Sequence, residues 1–379
     1  MIFKNLKIVT PKRVLENAFL VTKDKKIILI TKDENKIRVF DDKEILDCKG
    51  LVAMPGFIDI HIHGSMGIDF MDAKAEDYKI ISESLYKEGV TTYLATTLTS
   101  DQKSLERVCR EVKKAKKDNP SLGGIHFEGP YINAKHKGAQ NEAFIRDPSI
   151  DELSRLINIS GKNVRYISMA PEKNGALEFI DFATKNGVCI SAGHTDASFD
   201  DVEKAISVGL TNTTHTHNAM SGHHHRNPGV VSAAMYFDEL YTEMICDKIH
   251  VCPNSLKTFY KIVGPDRFII ITDALKIKHS DIDTFQLFGL DCVRKDGAAY
   301  LTSGPLAGSL LTLDQGMRNV RDITGASLVD LAKISSTNAA KSLHFKDRGF
   351  LQKGKLADFV LLDDKLNVKQ VYKLGKRVY

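Results

Sequence analysis

The chain of 379 residues is 42% hydrophobic and 27% charged, which is typical of a soluble globular protein with a large buried core. Its net charge of +5 comes from scattered basic residues without interleaved aromatic side chains, so the composition favours a small anionic ligand over nucleic acid. No apolar run approaches the ~18 residues needed to cross a bilayer, so we expect no membrane partner.

The cysteines and the first residues both predict a cytoplasmic protein. The six cysteines are far apart and form no Cys-x-x-Cys pair. Several lie in apolar segments, as Cys189 does, where a reduced thiol behaves as a small hydrophobe. This spacing indicates a reducing compartment rather than a disulfide framework. Residues 1–7 interleave charge with apolar side chains and have no signal-like core.

Short strands separated by charged turns are predicted at both ends of the chain. Near the N-terminus they cover residues 3–9, 14–22, 26–31, 36–40 and 44–47, and near the C-terminus residues 357–363 and 368–374. Neither end shows a helical period. We therefore predict a small β-sandwich domain formed from both termini, with residues 1–53 as its first part and residues 345–379 as its second.

Between these ends the pattern alternates between strands and helices. Apolar, β-branched segments cover residues 57–61, 91–95, 123–127, 164–169, 188–192, 210–215, 241–246 and 267–271. Amphipathic helical stretches separate most of them, at residues 75–87, 105–117, 177–186, 200–208 and 254–263. This alternation predicts a (β/α)8 TIM barrel as the catalytic domain, over residues 54–344. An open doubly wound sheet is the alternative, but no Gly-x-Gly-x-x-Gly follows an early strand.

The first predicted barrel strand ends in two histidines, His61 and His63, one residue apart. If the segment is extended, its period of two places both imidazoles on one face with Phe57 and Asp59. Two imidazoles on one face can bind a single metal ion. An ordinary core strand that happens to carry two histidines is the alternative.

Residues that commonly bind metals follow six of the eight predicted strands, at the carboxyl ends where barrel enzymes do their chemistry. The candidate ligands are His61, His63, Glu128, His194, His215 and Asp273, which follow five of these strands, and His250 follows the remaining one. Imidazole and carboxylate ligands suit Zn²⁺ or Fe²⁺, with Mn²⁺ and Co²⁺ as alternatives, and Glu128 is the strand-end carboxylate placed to bridge two ions. Without a metal, Glu128 would be a helix cap or a salt-bridge partner, and His194 and His215 would be hydrogen-bonded core histidines. Asp273 could instead transfer protons in a hydrolysis.

Residues 47–64 resemble the signature of the amidohydrolase superfamily, and residues 349–360 resemble its return into the small β domain. Five internal motifs are similar to those of the N-acetylglucosamine-6-phosphate deacetylases, a family of that superfamily: residues 126–131, 192–195, 214–215 with 218–220, 272–274 and 306–309. They follow the family's order across nearly the whole chain. The resemblance implies hydrolysis of N-acetylglucosamine 6-phosphate to glucosamine 6-phosphate and acetate, with two divalent metal ions bound per chain.

The resemblance also implies a role for each candidate residue. Glu128, His194 and His215 match the principal metal ligands, and His61 and His63 match ligands of a second ion. Asp273 matches the catalytic acid and base, and His250 matches a catalytic histidine near the acetyl carbonyl. The implied substrate-binding residues are Gln140, Asn218, Ala219, His225, Arg226, His250, Leu306, Ala307 and Gly308.

In the family, the arginine that matches Arg226 often reaches the phosphate from the partner subunit, so the resemblance implies a homodimer. Three departures leave the preferred N-acyl amino sugar open. His217 stands where an aromatic residue is usual, Asn227 replaces a glutamate, and residues 337–340 lack the customary Asn-Pro-Ala.

Two rival functions remain. The first is an amidohydrolase that acts on another N-acyl amino sugar or on a cyclic amide, although residues 168–172 offer no lysine of the kind that bridges metals in many cyclic amidases. The second is a catalytically inactive barrel kept for binding or assembly. Loss of a ligand or of the acid and base would indicate that function, and all of these residues are present.

Overall fold

The computed structural model describes residues 1–40, 44–287 and 289–379. Its strands, in chain order, are β1 (Ile2–Val9), β2 (Val14–Lys23), β3 (Lys26–Thr31), β4 (Ile45–Asp47), β5 (Val52–Pro55), β6 (Phe57–Asp59), β7 (Gly64–Ser65), β8 (Ile68–Asp69), β9 (Val90–Thr97), β10 (Leu122–Glu128), β11 (Val164–Met169), β12 (Cys189–Ala192), β13 (Leu210–Thr213), β14 (Tyr241–Ile245), β15 (Phe268–Ile271), β16 (Thr284–Leu287), β17 (Leu290–Lys295), β18 (Ala298–Leu301), β19 (Phe359–Leu362), β20 (Val368–Lys373) and β21 (Lys376–Arg377). Its α-helices are α1 (Asp77–Tyr86), α2 (Gln102–Ala115), α3 (Ile150–Ser160), α4 (Ala176–Lys185), α5 (Phe199–Ser207), α6 (Val230–Tyr236), α7 (Pro253–Val263), α8 (Leu313–Thr324), α9 (Leu328–Ala332) and α10 (Asn338–Ser342).

The two ends of the chain form one sheet, in the order β21-β20-β19-β5-β1-β2-β3, with β4 paired to β1. Aromatic side chains from both ends meet in its core. The Phe3 ring lies 5.1 Å from that of Phe359, which stacks on Tyr372 at 4.5 Å. All three are buried. Packing between residues so far apart in sequence makes the two termini a single unit, as predicted.

Eight parallel strands form the barrel, in the order β15-β14-β13-β12-β11-β10-β9-β6. Each is a buried run rich in apolar and β-branched residues, and every residue of β9 and β10 is buried. Strands covered on both faces are expected of a parallel sheet wrapped in helices. The predicted fold is thus confirmed: a nearly closed (β/α)8 barrel with a separate sheet from both termini. The domain boundaries themselves stay a prediction.

Local sequence signals set where the helices around the barrel begin and end. Asp101 accepts a hydrogen bond from the Ser104 amide and so caps α2. Ser198 and Asp201 form a reciprocal capping box at the start of α5. Gly161 ends α3 in the left-handed conformation that glycine adopts at low cost. These caps satisfy backbone groups at helix ends that would otherwise lack partners.

The structure corrects the prediction in one segment and adds an element to it. Residues 36–40, predicted as a strand, lie in two 3₁₀ turns, Glu34–Lys36 and Arg38–Phe40. The Asp33 carboxylate accepts a hydrogen bond from the Asn35 amide and starts the first turn. The added element is the antiparallel sheet β16-β17-β18 between β15 and α8, which the sequence analysis did not identify.

The structure bears on two expectations from the sequence, the lack of a membrane-spanning segment and the lack of disulfide bonds. Among the described residues, no helix combines the length and apolar character that a bilayer crossing requires. All six cysteines are free, and five of them are buried, Cys252 being the exposed one.

Candidate active site

The barrel closes where the chain beyond β6 meets the chain beyond β15. The amide of His63 donates to the Ala274 carbonyl at 2.9 Å, and the amide of Asp273 donates to the His61 carbonyl at 2.8 Å. These bonds continue the extended backbone past β6, as the His-x-His pattern requires. His61, His63 and Asp273 are therefore brought to the same end of the barrel.

Six side chains form two groups at this end, each with ligand atoms within 4.8 Å of one another. One group is His61, His63 and Asp273, and the other is Glu128, His194 and His215. All six residues are buried. The structure thus brings together every metal ligand that the sequence predicted.

Backbone carbonyls fix the ring orientation of His194 and His215. The Nδ1 atom of His194 lies 2.8 Å from the His136 carbonyl, and that of His215 lies 3.2 Å from the Asn218 carbonyl. A ring nitrogen facing a carbonyl must donate, so Nδ1 carries the proton. The Nε2 lone pairs then face inward, 3.1 Å apart and 3.0 and 3.1 Å from Oε1 of Glu128.

Glu128, a member of the second group, also lies close to the two histidines of the first group. Its Oε1 is 3.3 Å from Nε2 of His61, and its Oε2 is 3.3 Å from Nε2 of His63. Gln140 holds the carboxylate by donating from Nε2 to Oε2 at 2.6 Å, while its own Oε1 accepts from the Thr99 amide at 2.7 Å. Glu128 therefore has the position expected of a bridging carboxylate.

The donor atoms of both groups fit divalent cations. Three potential ligand atoms, Nε2 of His194, Nε2 of His215 and Oε1 of Glu128, lie about 3 Å from one another, close enough to bind a single cation. Two buried ring nitrogens, Nε2 of His61 and Nδ1 of His63, have no hydrogen-bond partner within the described residues. The pKa of Glu128, which burial alone would raise, is held well below its usual range by His61 and His194, so the carboxylate is ionised.

A second buried carboxylate supports the first group. Oε2 of Glu243 lies 3.3 Å from Nδ1 of His61 and accepts from the His215 amide at 3.3 Å. Glu243 thereby fixes the His61 ring with Nε2 directed toward Glu128 and Asp273. A carboxylate behind a metal-binding imidazole is a common orienting device. The sequence analysis missed Glu243 because the residue lies within β14 rather than at its end.

Several residues at the strand ends adopt left-handed backbone conformations. The φ angle is +49° at His194, +30° at His215 and +49° at Asp273, and it is also positive at His217 and Ala219. Such conformations cost free energy in residues with a Cβ and concentrate at functional sites. Here they turn the chain sharply at the strand ends that carry the candidate ligands.

A cavity of about 190 Å³ opens over these groups. Its wall includes five of the six candidate ligands, the exception being His61, together with Gln140, Asn218, Ala219, His250, Leu306 and Gly308. The sequence analysis did not identify its apolar wall, which consists of Leu98, Ala139, Ile245, Leu275 and Leu287. Leu287 belongs to β16, so the added sheet forms part of the wall.

Asp247 orients His250 in this cavity. Its Oδ2 lies 2.6 Å from Nδ1 of His250, and its Oδ1 accepts from the His250 amide at 2.8 Å. Burial would lower the pKa of His250, but the Asp247 carboxylate and, more weakly, Asp273 leave that pKa above its ordinary value. The protonated ring can therefore present Nε2–H to a ligand in the cavity.

Three predicted substrate-binding residues do not line the cavity. His225 and Arg226 are exposed on the loop before α6, and Ala307 is buried beside the wall, where its amide bonds the Ala299 carbonyl. Their roles in binding stay predictions. His126 belongs to neither ligand group, since its ring nitrogens face Ser168 and Thr96.

Comparison with known proteins identifies the family. Residues 52–378 match the amidohydrolase family model. The chain belongs to the amidohydrolase family. It is 35% identical to the N-acetylglucosamine-6-phosphate deacetylase of Lysinibacillus sphaericus, over 99% of this chain and 97% of that protein. It is 31% identical to the N-acetylgalactosamine-6-phosphate deacetylase of Escherichia coli O157:H7, over 85% and 86% of the two chains.

A solved structure with the same fold is the N-acetylglucosamine-6-phosphate deacetylase of Thermotoga maritima, with a TM-score of 0.91 and 34% identity over 100% of this chain and 99% of that one. The family predicted from the motifs is confirmed.

Proposed function

We propose that the protein hydrolyses the acetamide of N-acetylglucosamine 6-phosphate to acetate and glucosamine 6-phosphate. The observation that carries the proposal is the convergence of both ligand groups on Glu128, beneath a cavity that also contains His250. Full-length relatives with this activity in their names support the same substrate.

We propose that two divalent cations bind per chain, Zn²⁺ or Fe²⁺ being the best match to imidazole and carboxylate ligands, with Mn²⁺ and Co²⁺ as alternatives. Glu128, His194 and His215 would hold one ion, and His61 and His63 with Asp273 the other. Such ions supply Lewis acidity, which makes water a better nucleophile at neutral pH and polarises the amide carbonyl.

Asp273 is proposed to carry the proton. Burial would raise its pKa, but the imidazoles of His61 and His63 hold that pKa below its ordinary value, so the group is an ionised base at neutral pH. It faces the cavity, with Oδ1 3.1 Å from Nε2 of His63. In the proposed reaction Asp273 accepts a proton from the attacking water and then donates it to the departing amide nitrogen.

His250 is proposed to bind the acetyl oxygen. Its Nδ1 faces Asp247, so Nε2–H is left to donate to that oxygen as negative charge develops on it. The side chains of Gln140, Asn218 and Leu306 and the backbone at Ala219 and Gly308 are proposed to contact the sugar, a role that their position on the cavity wall supports.

We infer that the protein is a cytoplasmic homodimer in which Arg226 of one protomer reaches the other protomer's site. No lysine or arginine is among the residues that line the cavity in the described part of the chain, although a phosphate monoester needs cationic partners. Arg226 is exposed and lacks a carboxylate within 4 Å in the described residues, so it is available to a neighbour.

A second candidate substrate is N-acetylgalactosamine 6-phosphate. The relative from Escherichia coli O157:H7 named for that substrate supports it. The two sugars differ in the configuration of one hydroxyl, and one mispaired hydroxyl in a binding site can change selectivity greatly. His217 occupies a position where the family usually has an aromatic residue, so the sugar contacts of this chain need direct measurement.

The test measures acetate release from N-acetylglucosamine 6-phosphate, N-acetylgalactosamine 6-phosphate and unphosphorylated N-acetylglucosamine. The metal content of the same protein sample is determined alongside. We expect the highest kcat/KM on N-acetylglucosamine 6-phosphate, and a loss of at least ~10²-fold in kcat for Asp273→Asn assayed with enough metal to saturate both proposed sites. Near-wild-type turnover of that variant with metal bound would refute the proton-transfer role. No acetate release from a metal-loaded sample would refute the proposed activity and favour the cyclic-amide or inactive alternatives.

A further inference from the structure

A second cavity lies at the opposite end of the barrel from the candidate active site. Its volume is about 540 Å³. It is lined by the first residues of β10 and β11, by the turn after α2 and by residues 344–348 after α10. Strand β10 runs from this cavity, at Leu122, to the active-site end at Glu128, a distance of about 20 Å for seven residues in extended backbone.

Basic side chains dominate the wall of this cavity. They are Lys116, Arg165, His344, Lys346 and Arg348. The one acidic residue there, Asp347, is paired with Arg348 through Nε at 2.9 Å and Nη2 at 3.2 Å. The carboxylate therefore neutralises a single guanidinium, and the remaining cations face the cavity without an acidic partner on its wall.

Lys116 and Arg165 differ from two other basic residues, Arg110 and Lys114, in having no carboxylate partner. On helix α2, Arg110 pairs with Glu106 at 2.7 Å and Lys114 with Glu111 at 2.6 Å. By contrast, no carboxylate of the described residues lies within 4 Å of Lys116 or Arg165, and the Lys116 ammonium donates only to the Gly123 carbonyl, at 2.6 Å. These two charges lack the carboxylate partners that Arg110 and Lys114 have.

The stem of Arg165 lies against Gly124. A Cβ at Gly124 would lie 2.5 Å from Cγ of Arg165, so the absence of a side chain there lets the arginine cross β10. Its Nε atom is buried and has no hydrogen-bond partner within the described residues. A buried guanidinium nitrogen without an acceptor is costly, and an anionic ligand would satisfy it.

The cations also act on one another. Burial, followed by the charges of Arg165 and Arg348, lowers the pKa of Lys116 to about 8. Bringing a dianion among these groups would relieve both their repulsion and the cost of burying them.

We propose that this cavity binds a small organic phosphate, with Lys116 and Arg165 around the phosphate group. Guanidinium groups suit phosphate because their paired N–H donors match its oxygens. The volume exceeds what a lone phosphate fills, and Pro120, Leu122, Phe345 and Leu374 provide an apolar wall for an organic part. The site is separate from the substrate phosphate of the proposed reaction, which would bind at the other end of the barrel.

The test uses glucose 6-phosphate and inorganic phosphate as probes on the full chain at low ionic strength, where charge pairing is least screened. Isothermal titration gives the affinity, and ligand-dependent hydrogen exchange locates the bound site. Uncharged glucose is the probe control. Lys103→Gln removes an exposed charge from α2 far from the cavity wall and serves as the matched variant.

We expect glucose 6-phosphate to slow exchange in residues 116–125 and 343–348, and glucose to leave both segments unchanged. Arg165→Gln and Lys116→Gln should each weaken the binding at this site at least ten-fold, while Lys103→Gln should change it less than two-fold. Because Lys116 is only half-buried, its variant tests the site even if Arg165→Gln fails to fold. Protection confined to the active-site end, equal affinity in all three variants, or no binding of either phosphate probe would overturn the proposal.

Discussion

Oε2 of Glu243 lies 3.3 Å from Nδ1 of His61, and both residues are fully buried. This contact sets which nitrogen of His61 faces the proposed metal site. We expect Glu243→Gln to weaken metal binding by the group of His61, His63 and Asp273 about 10–100-fold, since an amide holds the ring less strongly than a carboxylate. Metal analysis after equilibrium dialysis checks this, with the exposed Glu203→Gln on α5 as control. Equal metal retention in both variants would contradict it.

The His-x-His pair defines the second prediction. The double substitution of His61→Ala and His63→Ala removes two of the three ligands in one group and leaves Glu128, His194 and His215 in place. We expect the metal content to fall from near two toward one per chain, as determined by elemental analysis of dialysed protein. Retention of both ions would show that this strand does not bind metal.

The third prediction concerns the pKa of His250. The Asp247 carboxylate, 2.6 Å from Nδ1, raises that pKa against the effect of burial. Asp247→Asn removes the charge, so the pKa of His250 should fall. The proposed hydrogen bond to substrate uses the protonated ring. As the pH rises, the Asp247→Asn variant should therefore lose activity at a lower pH than the wild type does. An NMR titration of His250 and a pH profile of kcat/KM test this, and unchanged values in both would contradict it.

The fourth prediction concerns stability. Glu88 is buried, lies 2.7 Å from Nζ of Lys278 and accepts from the Leu313 amide at 2.6 Å. Burial would raise its pKa, but Lys278 and His279 lower it below the ordinary 4.5. Removing one partner of a buried ion pair leaves the other uncompensated, so Glu88→Gln should reduce the free energy of unfolding by about 3–5 kcal/mol at pH 7.

The same carboxylate predicts the pH dependence of that loss. A group whose folded pKa is lowered stabilises the protein above its unfolded pKa, and the contribution disappears as the pH falls through the folded pKa. The difference in Tm between wild type and Glu88→Gln should therefore narrow as the pH drops below 4.5. Calorimetry across pH 3 to 7 measures it, with exposed Glu83→Gln on α1 as the control. A constant difference would contradict the assignment.

The barrel was predictable because its strands are buried runs whose composition distinguishes them from the helices between them. The eight predicted barrel strands coincide with observed strands to within about two residues at most ends. The same approach failed for residues 36–40, where the Asp33 carboxylate starts a turn that the alternation of residues does not show. The strands β16 to β18 were missed because much of their surface is exposed and gives no buried run.

The candidate site was predictable wherever its residues lie just beyond the end of a strand, as His194 does after β12 and Asp273 does after β15. Glu243 was missed although a signal existed. A carboxylate between Tyr241 and Ile245 in an apolar strand faces the same side as both, and Ile245 lines the cavity. The partners of each ring nitrogen could not be predicted, because they depend on loops such as the one that brings the His136 carbonyl to His194.

Glu128 belongs to one ligand group, yet its carboxylate oxygens also lie 3.3 Å from Nε2 of His61 and of His63 in the other, so the two proposed metal sites are linked thermodynamically. An ion bound by one group would alter the charge and the orientation of a carboxylate that faces the other group, so the two binding equilibria would depend on each other. By reciprocity, the first site changes the affinity of the second by the same factor as the second changes the first. Repulsion between two nearby cations opposes the second binding event, while the fixed carboxylate between them favours it. Titration of the metal-free protein with metal should therefore give a binding curve in which the affinity of each site depends on whether the other site is occupied.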